Sequence, residues 1–350
     1  MTIRGAQGPD APLFDDQPRR YDAVLVVSFG GPDGPDDVMP FLENVTRGRN
    51  VPRARLEAVA HHYARFGGKS PLNAQNRALI AALDRELKAS GLDLPVYFGN
   101  RNWRPYLNDT VREMRDAGAR RAIAFITSAF SSYSGCRQYR EDVIAALDAV
   151  GPGAPEIDKL RVFYNHPRFV AANADHLRRA ITGFAPAQRA DAHVVFTAHS
   201  IPCTMARSAG YEGQLAEAAR LVAQATGTPT YSLAYQSRSG PPQVPWLGPD
   251  ILDHLPVIAA TGASAVVVHP LGFISDHIEV LYDLDIEAKA KAAELGLPFA
   301  RVETAGTNPE FPRMIRELIV ERMTGGTARA ALGDQGAWHE ICPLDCCLAG

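Results

Sequence analysis

The hexapeptides VSFGGP at 27–32 and TAHSIP at 197–202 each close a short β-branched run with a proline, and the two line up with one another. FGNRNW at 98–103 resembles YQSRSG at 235–240 in the same manner. Working outward, further apolar runs bounded by Gly or Pro stand at 23–29, 96–98, 122–127, 193–197, 231–235, 265–269 and 300–302. Longer amphipathic stretches separate them, for example 78–90, 140–150, 213–226 and 279–294, the last ending at Leu295-Gly296 as a C-cap. Near-continuous apolar runs predict strands buried on both faces, and their alternation with helices predicts βαβ units. The expected fold class is α/β, with two similar domains at 21–130 and 131–325, a disordered lead-in at 1–20 and a cysteine-containing tail at 326–350. In open α/β sheets ligands bind beyond the carboxyl ends of the strands. Phe29 and His199, at matching strand ends, are expected to face each other across a central cleft.

Composition narrows the function. With 46% hydrophobic and 21% charged residues, 350 residues suffice for two domains around one cleft. The charge of -3 comes from 36 basic and 39 acidic residues without a basic block, so no nucleic-acid partner is expected. No run of apolar residues reaches membrane-spanning length and the N-terminus does not read as a secretory signal, which predicts a cytoplasmic protein. SFGGPDGPDD at 28–37 lacks both phosphate-loop spacings and carries Asp33, Asp36 and Asp37, so nucleotide binding is not expected there.

Three constellations could carry chemistry. TAHSIP places the imidazole of His199 at a strand end, where it can accept a proton near neutral pH or support the turn by hydrogen bonding. In HPLGFISDHIEVLYDLDIEAKAKAAE, Glu279, Asp283 and Glu287 recur every four residues and stack in one row on a helix, with His277 close by. Neighbouring acids in such a row repel by a few tenths of a kcal/mol. The row is either a solvated face or a path visited by cations, and oxygen and imidazole donors suit a divalent iron in transit. Arg47, Arg49, Tyr63, Lys69 and Ser70 surround a helix and could partner ligand carboxylates, or simply belong to a surface loop. Trp246, in the Pro-rich loop 236–251, either lines the cleft or anchors its own loop.

The five cysteines are too few for a disulfide scaffold, and three of them, Cys342, Cys346 and Cys347, crowd into CPLDCC. Cys136 could supply a fourth thiolate, the usual number for a [2Fe–2S] cluster. A zinc site or a free thiol tail are the other readings, and Cys203 reads as packing.

FGGKSPLN, TAHSIP, QSRSGPPQVPWL and GFISDHIEVLYDLDIE, in this order over roughly residues 22–325, together resemble the ferrochelatase family. The resemblance implies two Rossmann-like, chelatase-like domains on parallel four-stranded sheets, and an enzyme that inserts Fe²⁺ into a porphyrin bound between them. It implies catalytic and metal-handling roles for His199 and Glu279, facing each other across the porphyrin plane, with Asp283 and Glu287 as an acidic path on a distorted helix. Arg47, Tyr63, Ser70 and Tyr139 match positions that contact propionates, while Phe29 stands where some relatives carry a tyrosine or methionine and cannot itself ligate iron. The pattern is most similar to actinobacterial members, which implies coproporphyrin III as substrate, with protoporphyrin IX as the alternative. Some of these members carry a [2Fe–2S] cluster near the C-terminus that also uses an internal cysteine, which favours that reading of Cys136, Cys342, Cys346 and Cys347. A monomer docking transiently with neighbouring heme-pathway enzymes is expected. A chelatase for sirohydrochlorin or another metal shares this architecture. A two-lobed binding protein shares it too, but has no need of a histidine beside an acid row.

Overall fold

Ala23–Ser28 (β1), six apolar or small residues with every side chain buried, sits at the centre of one parallel sheet, flanked by Val96–Asn100 (β2) and Arg121–Ile126 (β3). Glu156–Lys159 (β4) completes it on the edge beside β3. In this computed structural model, which describes Ile3, residues 12–241 and residues 243–349, a second parallel sheet repeats the arrangement. Its strands are Ala192–His199 (β5), Tyr231–Gln236 (β6), Ala265–His269 (β7) and Phe299–Arg301 (β8). The orders β2-β1-β3-β4 and β6-β5-β7-β8 are the same. The two echoed segment pairs follow the central strands and their first neighbours, β1 with β5 and β2 with β6.

Seven of the eight strands stand where the apolar runs predict them. The eighth, β4, reads EIDK, and its Asp158 is buried because a partner awaits it: Tyr21 Oη donates to Asp158 Oδ2 at 2.8 Å. Since β4 lies beyond residue 130, the expected domain boundary there cuts through the first sheet. Helix Glu310–Thr324, late in the chain, packs against Leu72–Ala89 from the first half and Pro167–Thr182, so a continuous core joins both sheets.

Of the expected lead-in at 1–20, residues 1–2 and 4–11 lie outside the described residues. Residues 12–20 run along the tail, with Glu340 N donating to Leu13 O at 3.0 Å and Gly326 N to Asp16 O at 2.9 Å. The predicted helix at 279–294 is one continuous helix of changing pitch: an α-turn at Ile278–Val280, a π-helix over Leu281–Ala288, then α again over Lys289–Glu294. A second π-turn, Tyr133–Arg137, carries Cys136. No helix among the described residues is long and apolar enough to cross a membrane.

Candidate active site

The carboxyl ends of β1, β2, β5, β6 and β7 deliver Phe29, Arg101, His199, Ser237 and the segment leading to Glu279. This is the edge of the sheets where the strand order reverses and α/β proteins bind ligands. Gly272 brings β7's return loop close: its N–H donates to Thr197 O at 2.9 Å, and a Cβ there would lie 2.6 Å from that of Ala198. The chain therefore passes directly over the residue before His199, and the following helix starts beside it.

His199 ends β5 with its ring oriented by the backbone. Its Nδ1 meets the carbonyl oxygen of Ser200, which can only accept, so Nδ1 carries the proton and Nε2 presents a lone pair in the neutral ring. That Nε2 stands 3.6 Å from Glu279 Oε2, and His277 Nδ1 stands 3.9 Å from the same oxygen. A lone pair facing a carboxylate is repulsive unless a proton or a cation lies between them.

The expectation that His199 and Glu279 oppose each other across the porphyrin plane is overturned by that distance. A flat ring in van der Waals contact with both would need about 7 Å between them. Both residues belong to the second half and stand on one side of the cleft, because the loop crossing at Gly272 returns the chain to the end of β5.

Behind Glu279 the acid row runs along the π-helix. On an α-helix a step of four residues overshoots a full turn by about 40°. The wider π turn falls short of a full turn with the same step, so the passage from α to π pitch along the row partly offsets that drift. Asp283 Oδ2 accepts from Ser237 Oγ, and from Gln236 Nε2 at 3.4 Å. Ser237 reaches it from a left-handed backbone conformation, φ 62°, which a serine adopts only at some cost. Burial pushes the Asp283 carboxyl up to about 7, with Glu279 and Glu287 adding to the rise against the hydrogen bonds of Ser237 and Gln236. Burial, then the charge of Asp250, raises Glu287 as well. Gln236 and Ser237 were not singled out in the sequence as partners of the acids, although both lie in the echoed YQSRSG.

The opposite wall comes from the first half. Phe29 is 37% exposed, edge-on to Phe41, with the Arg101 guanidinium 5.7 Å from its ring. Arg101 also lies 4.5 Å over the Tyr139 ring and pairs with Asp142, so Tyr139 is buried beneath a cation. Tyr63, edge-on to Phe41, has its hydroxyl raised well above the usual range by burial and then by the charge of Glu279. Arg47 is exposed beyond helix Val38–Val45. Ser70 is 2% exposed, packed against Gly31, with its Oγ accepting from Leu72 N at 3.3 Å, so it is not presented at the cleft surface. Trp246 packs on Gly240, and its loop pairs with Pro202, anchoring it to the turn after His199.

A model of the ferrochelatase family matches residues 21–323. The chain belongs to the ferrochelatase family. Iron and a porphyrin are accordingly its substrates. A protein of Rhodopirellula baltica named ferrochelatase is 54% identical over 94% of this chain and 93% of its own length. The coproporphyrin III ferrochelatase of Nocardia farcinica is also 54% identical, over 93% of this chain and 96% of its own length. Among solved structures, the sirohydrochlorin chelatase SirB from Bacillus subtilis subspecies spizizenii, in complex with cobalt, superposes with a TM-score of 0.51 at 11% identity. That match covers 86% of this chain and 94% of SirB, and the likeness is one of fold.

Away from the cleft of this ferrochelatase, the tail folds back on the first half. Cys136 and Cys342 act on each other electrostatically, as do Cys342 and Cys346, and Cys346 Sγ lies 3.4 Å from Cys347 Sγ. His339 Nε2 stands 3.5 Å from Cys346 Sγ, a donor that the cysteine spacing alone did not single out. Ligand atoms of His339, Cys342 and Cys346 all fall within 4.8 Å of one another. Hydrogen bonds from Cys136 and Cys346, with the ammonium of Lys159 nearby, hold the Cys342 thiol well below its ordinary range. Arg137 clasps the tail by donating to Leu344 O at 2.7 Å and Cys346 O at 3.0 Å. Cys203, in helix Cys203–Arg207, takes no part in this group.

Proposed function

We propose that this chain inserts Fe²⁺ into coproporphyrin III to form coproheme, as a cytoplasmic enzyme of heme biosynthesis. The observation that carries the reading is the Nε2 lone pair of His199 turned toward Glu279 at 3.6 Å, with a row of raised carboxyls behind it. The choice of porphyrin is supported by relatives named coproporphyrin III ferrochelatase at 51–54% identity.

Insertion exchanges two pyrrole protons for one Fe²⁺, so the site must accept protons where it handles the metal. His199 Nε2 is the base available without rearrangement, since its other nitrogen is occupied by the Ser200 carbonyl. Glu279 lies on the same face and can steady the incoming cation or take the second proton. Asp283, pushed up to about 7 by burial, and Glu287, raised by burial, lead metal in or protons out along the helix. Phe29 gives the macrocycle an apolar face, and Arg47 and the phenol of Tyr63 attend the carboxylates of its rim, while Tyr139, buried beneath Arg101, supports that wall without meeting the substrate.

A metallation assay over coproporphyrin III, protoporphyrin IX and sirohydrochlorin, with Fe²⁺, Co²⁺ and Ni²⁺, tests reaction class and substrate together. The expected result is fastest iron insertion into coproporphyrin III. A clear preference for protoporphyrin IX overturns the choice of substrate, and binding without metallation overturns the enzyme. His199→Ala is expected to lose about 10²–10⁴-fold in turnover while still quenching the porphyrin's fluorescence on binding.

We also infer that Cys136, Cys342, Cys346 and Cys347 hold a [2Fe–2S] cluster. The donor set fits: four thiols gathered where the tail meets the first half, three of them buried, with the guanidinium Nε and Nη1 of the nearby Arg140 buried and lacking any hydrogen-bond partner. A bound cluster would supply one-electron redox capacity and a covalent tie between tail and first half. Anaerobically purified protein is expected to be brown and to contain iron and acid-labile sulfide. Colourless protein holding zinc, or no metal, overturns this assignment.

A further inference from the structure

Among the described residues, several arginines with buried or largely buried side chains rest on carboxylates. Arg161 sits on Glu321 at 2.7 Å, Arg301 on Asp285 at 2.7 Å and Asp276 at 3.0 Å, and Arg322 on Asp15 at 3.3 Å. Two cations break the pattern. Lys159 is 7% exposed at the end of β4, makes one hydrogen bond, to Leu160 O at 3.1 Å, and forms no ion pair with any described residue. Arg140 is 5% exposed, forms no ion pair with any described residue, and leaves Nε and Nη1 without partners. Leaving a charge buried and unpaired costs several kcal/mol.

Both cations converge on the thiol group. Arg140 follows Cys136 by four residues, which sets it on the same side of its helix, and it acts electrostatically on Cys347. Lys159 lies within electrostatic reach of Cys136, Cys342, Cys346 and Cys347. Four thiolates around two ferric ions and two sulfides carry two negative charges, and a third on one-electron reduction. Two positive charges lie buried where two negative ones would form.

We propose that Lys159 and Arg140 are the counter-charges of the thiol site, which retain an anionic iron–sulfur centre there and raise its reduction potential. The proposal rests on the cluster reading above. Removing either cation penalises the more negative, reduced form most, so reduction becomes harder.

The test is anaerobic redox titration of the visible spectrum in the full-length protein and in Lys159→Met, Lys159→Arg, Arg140→Gln and, as an exposed control, Lys88→Met. Lys159→Met is expected to shift the reduction equilibrium at least tenfold toward the oxidised form, about 59 mV more negative for one electron, with Arg140→Gln in the same direction. Lys159→Arg and Lys88→Met should stay at the wild-type potential. Should Lys159→Met fail to fold, Arg140→Gln decides by itself. Loss of iron and sulfide from Lys159→Met with retention in Lys159→Arg, at unchanged melting temperature, also supports the proposal. Unchanged potentials in both Lys159→Met and Arg140→Gln, with the cluster present, overturn it while leaving the cluster reading intact. Wild-type protein without iron and sulfide overturns both.

Discussion

At His199 the decisive fact is which ring nitrogen is free. The Ser200 carbonyl occupies Nδ1, and this leaves Nε2 aimed at Glu279. A sequence shows that a histidine ends a strand, whereas only the backbone path through Gly272 shows that a glutamate eighty residues later shares its face. Asp283 illustrates the cost of such a site. Its carboxyl has a folded value of about 7 against an ordinary 3.8, so the folded state holds an extra proton between those pH values. Its contribution to stability is therefore fully present below pH 3.8 and is lost as pH rises through 7. Asp283→Asn should melt higher than the parent at pH 8, by an amount on the order of a few kcal/mol, and match it near pH 4. Equal stability at pH 8 would contradict the burial argument.

Secondary-structure elements were legible to the extent that their residues were apolar. β1, with six buried positions, could hardly be missed, whereas β4 could hardly be found, since Asp158 and Lys159 are in a strand for reasons that lie far away in sequence. The π pitch at Leu281–Ala288 was also invisible in the spacing, because a period of four fits either pitch. Helix Arg53–Ala64 is different again: it buries only Leu56, and His62 stacks on Tyr282 of the π-helix with ring centroids 3.6 Å apart. An element with so few apolar contacts should open locally. Amide exchange over 53–64 is expected to be among the fastest of any helix. His62→Ala should lower its opening free energy by about 0.5–1.5 kcal/mol, leaving exchange in β1 unchanged.

Across the whole molecule, both ends of the chain close on the same buried charges. Glu340 of the tail accepts from Arg329 at 3.0 Å and lies 3.9 Å from Arg322, which in turn reaches Asp15 near the N-terminus. Glu340→Gln leaves these guanidiniums short of a charge and is expected to cost about 3 kcal/mol in urea unfolding, whether or not iron is bound. His166 and His269 act globally too. Burial lowers each to about 3, helped by Arg161 and Arg168 at His166 and by His176 at His269, while the ordinary value is 6.5. Between pH 6.5 and 3 the unfolded chain binds protons that the folded one refuses, so stability present above pH 6.5 is lost as the pH falls toward 3. His269→Gln should flatten that acid limb, and an unaltered limb would show that other groups set it.

The sequence by itself determined the two α/β halves, their echo of one another and the chemical types gathered at the strand ends, because strand burial and helical periodicity are local properties that repeat along the chain. The tertiary structure alone decided which of those groups meet. It set His199 and Glu279 on one face, withdrew Ser70 from the cleft surface, and brought Cys136 to a tail more than two hundred residues away. It also turned two unpaired cations, Lys159 and Arg140, toward the same thiols. These outcomes depend on where loops cross and which charges lack partners after packing, and neither leaves a period or a motif in the chain.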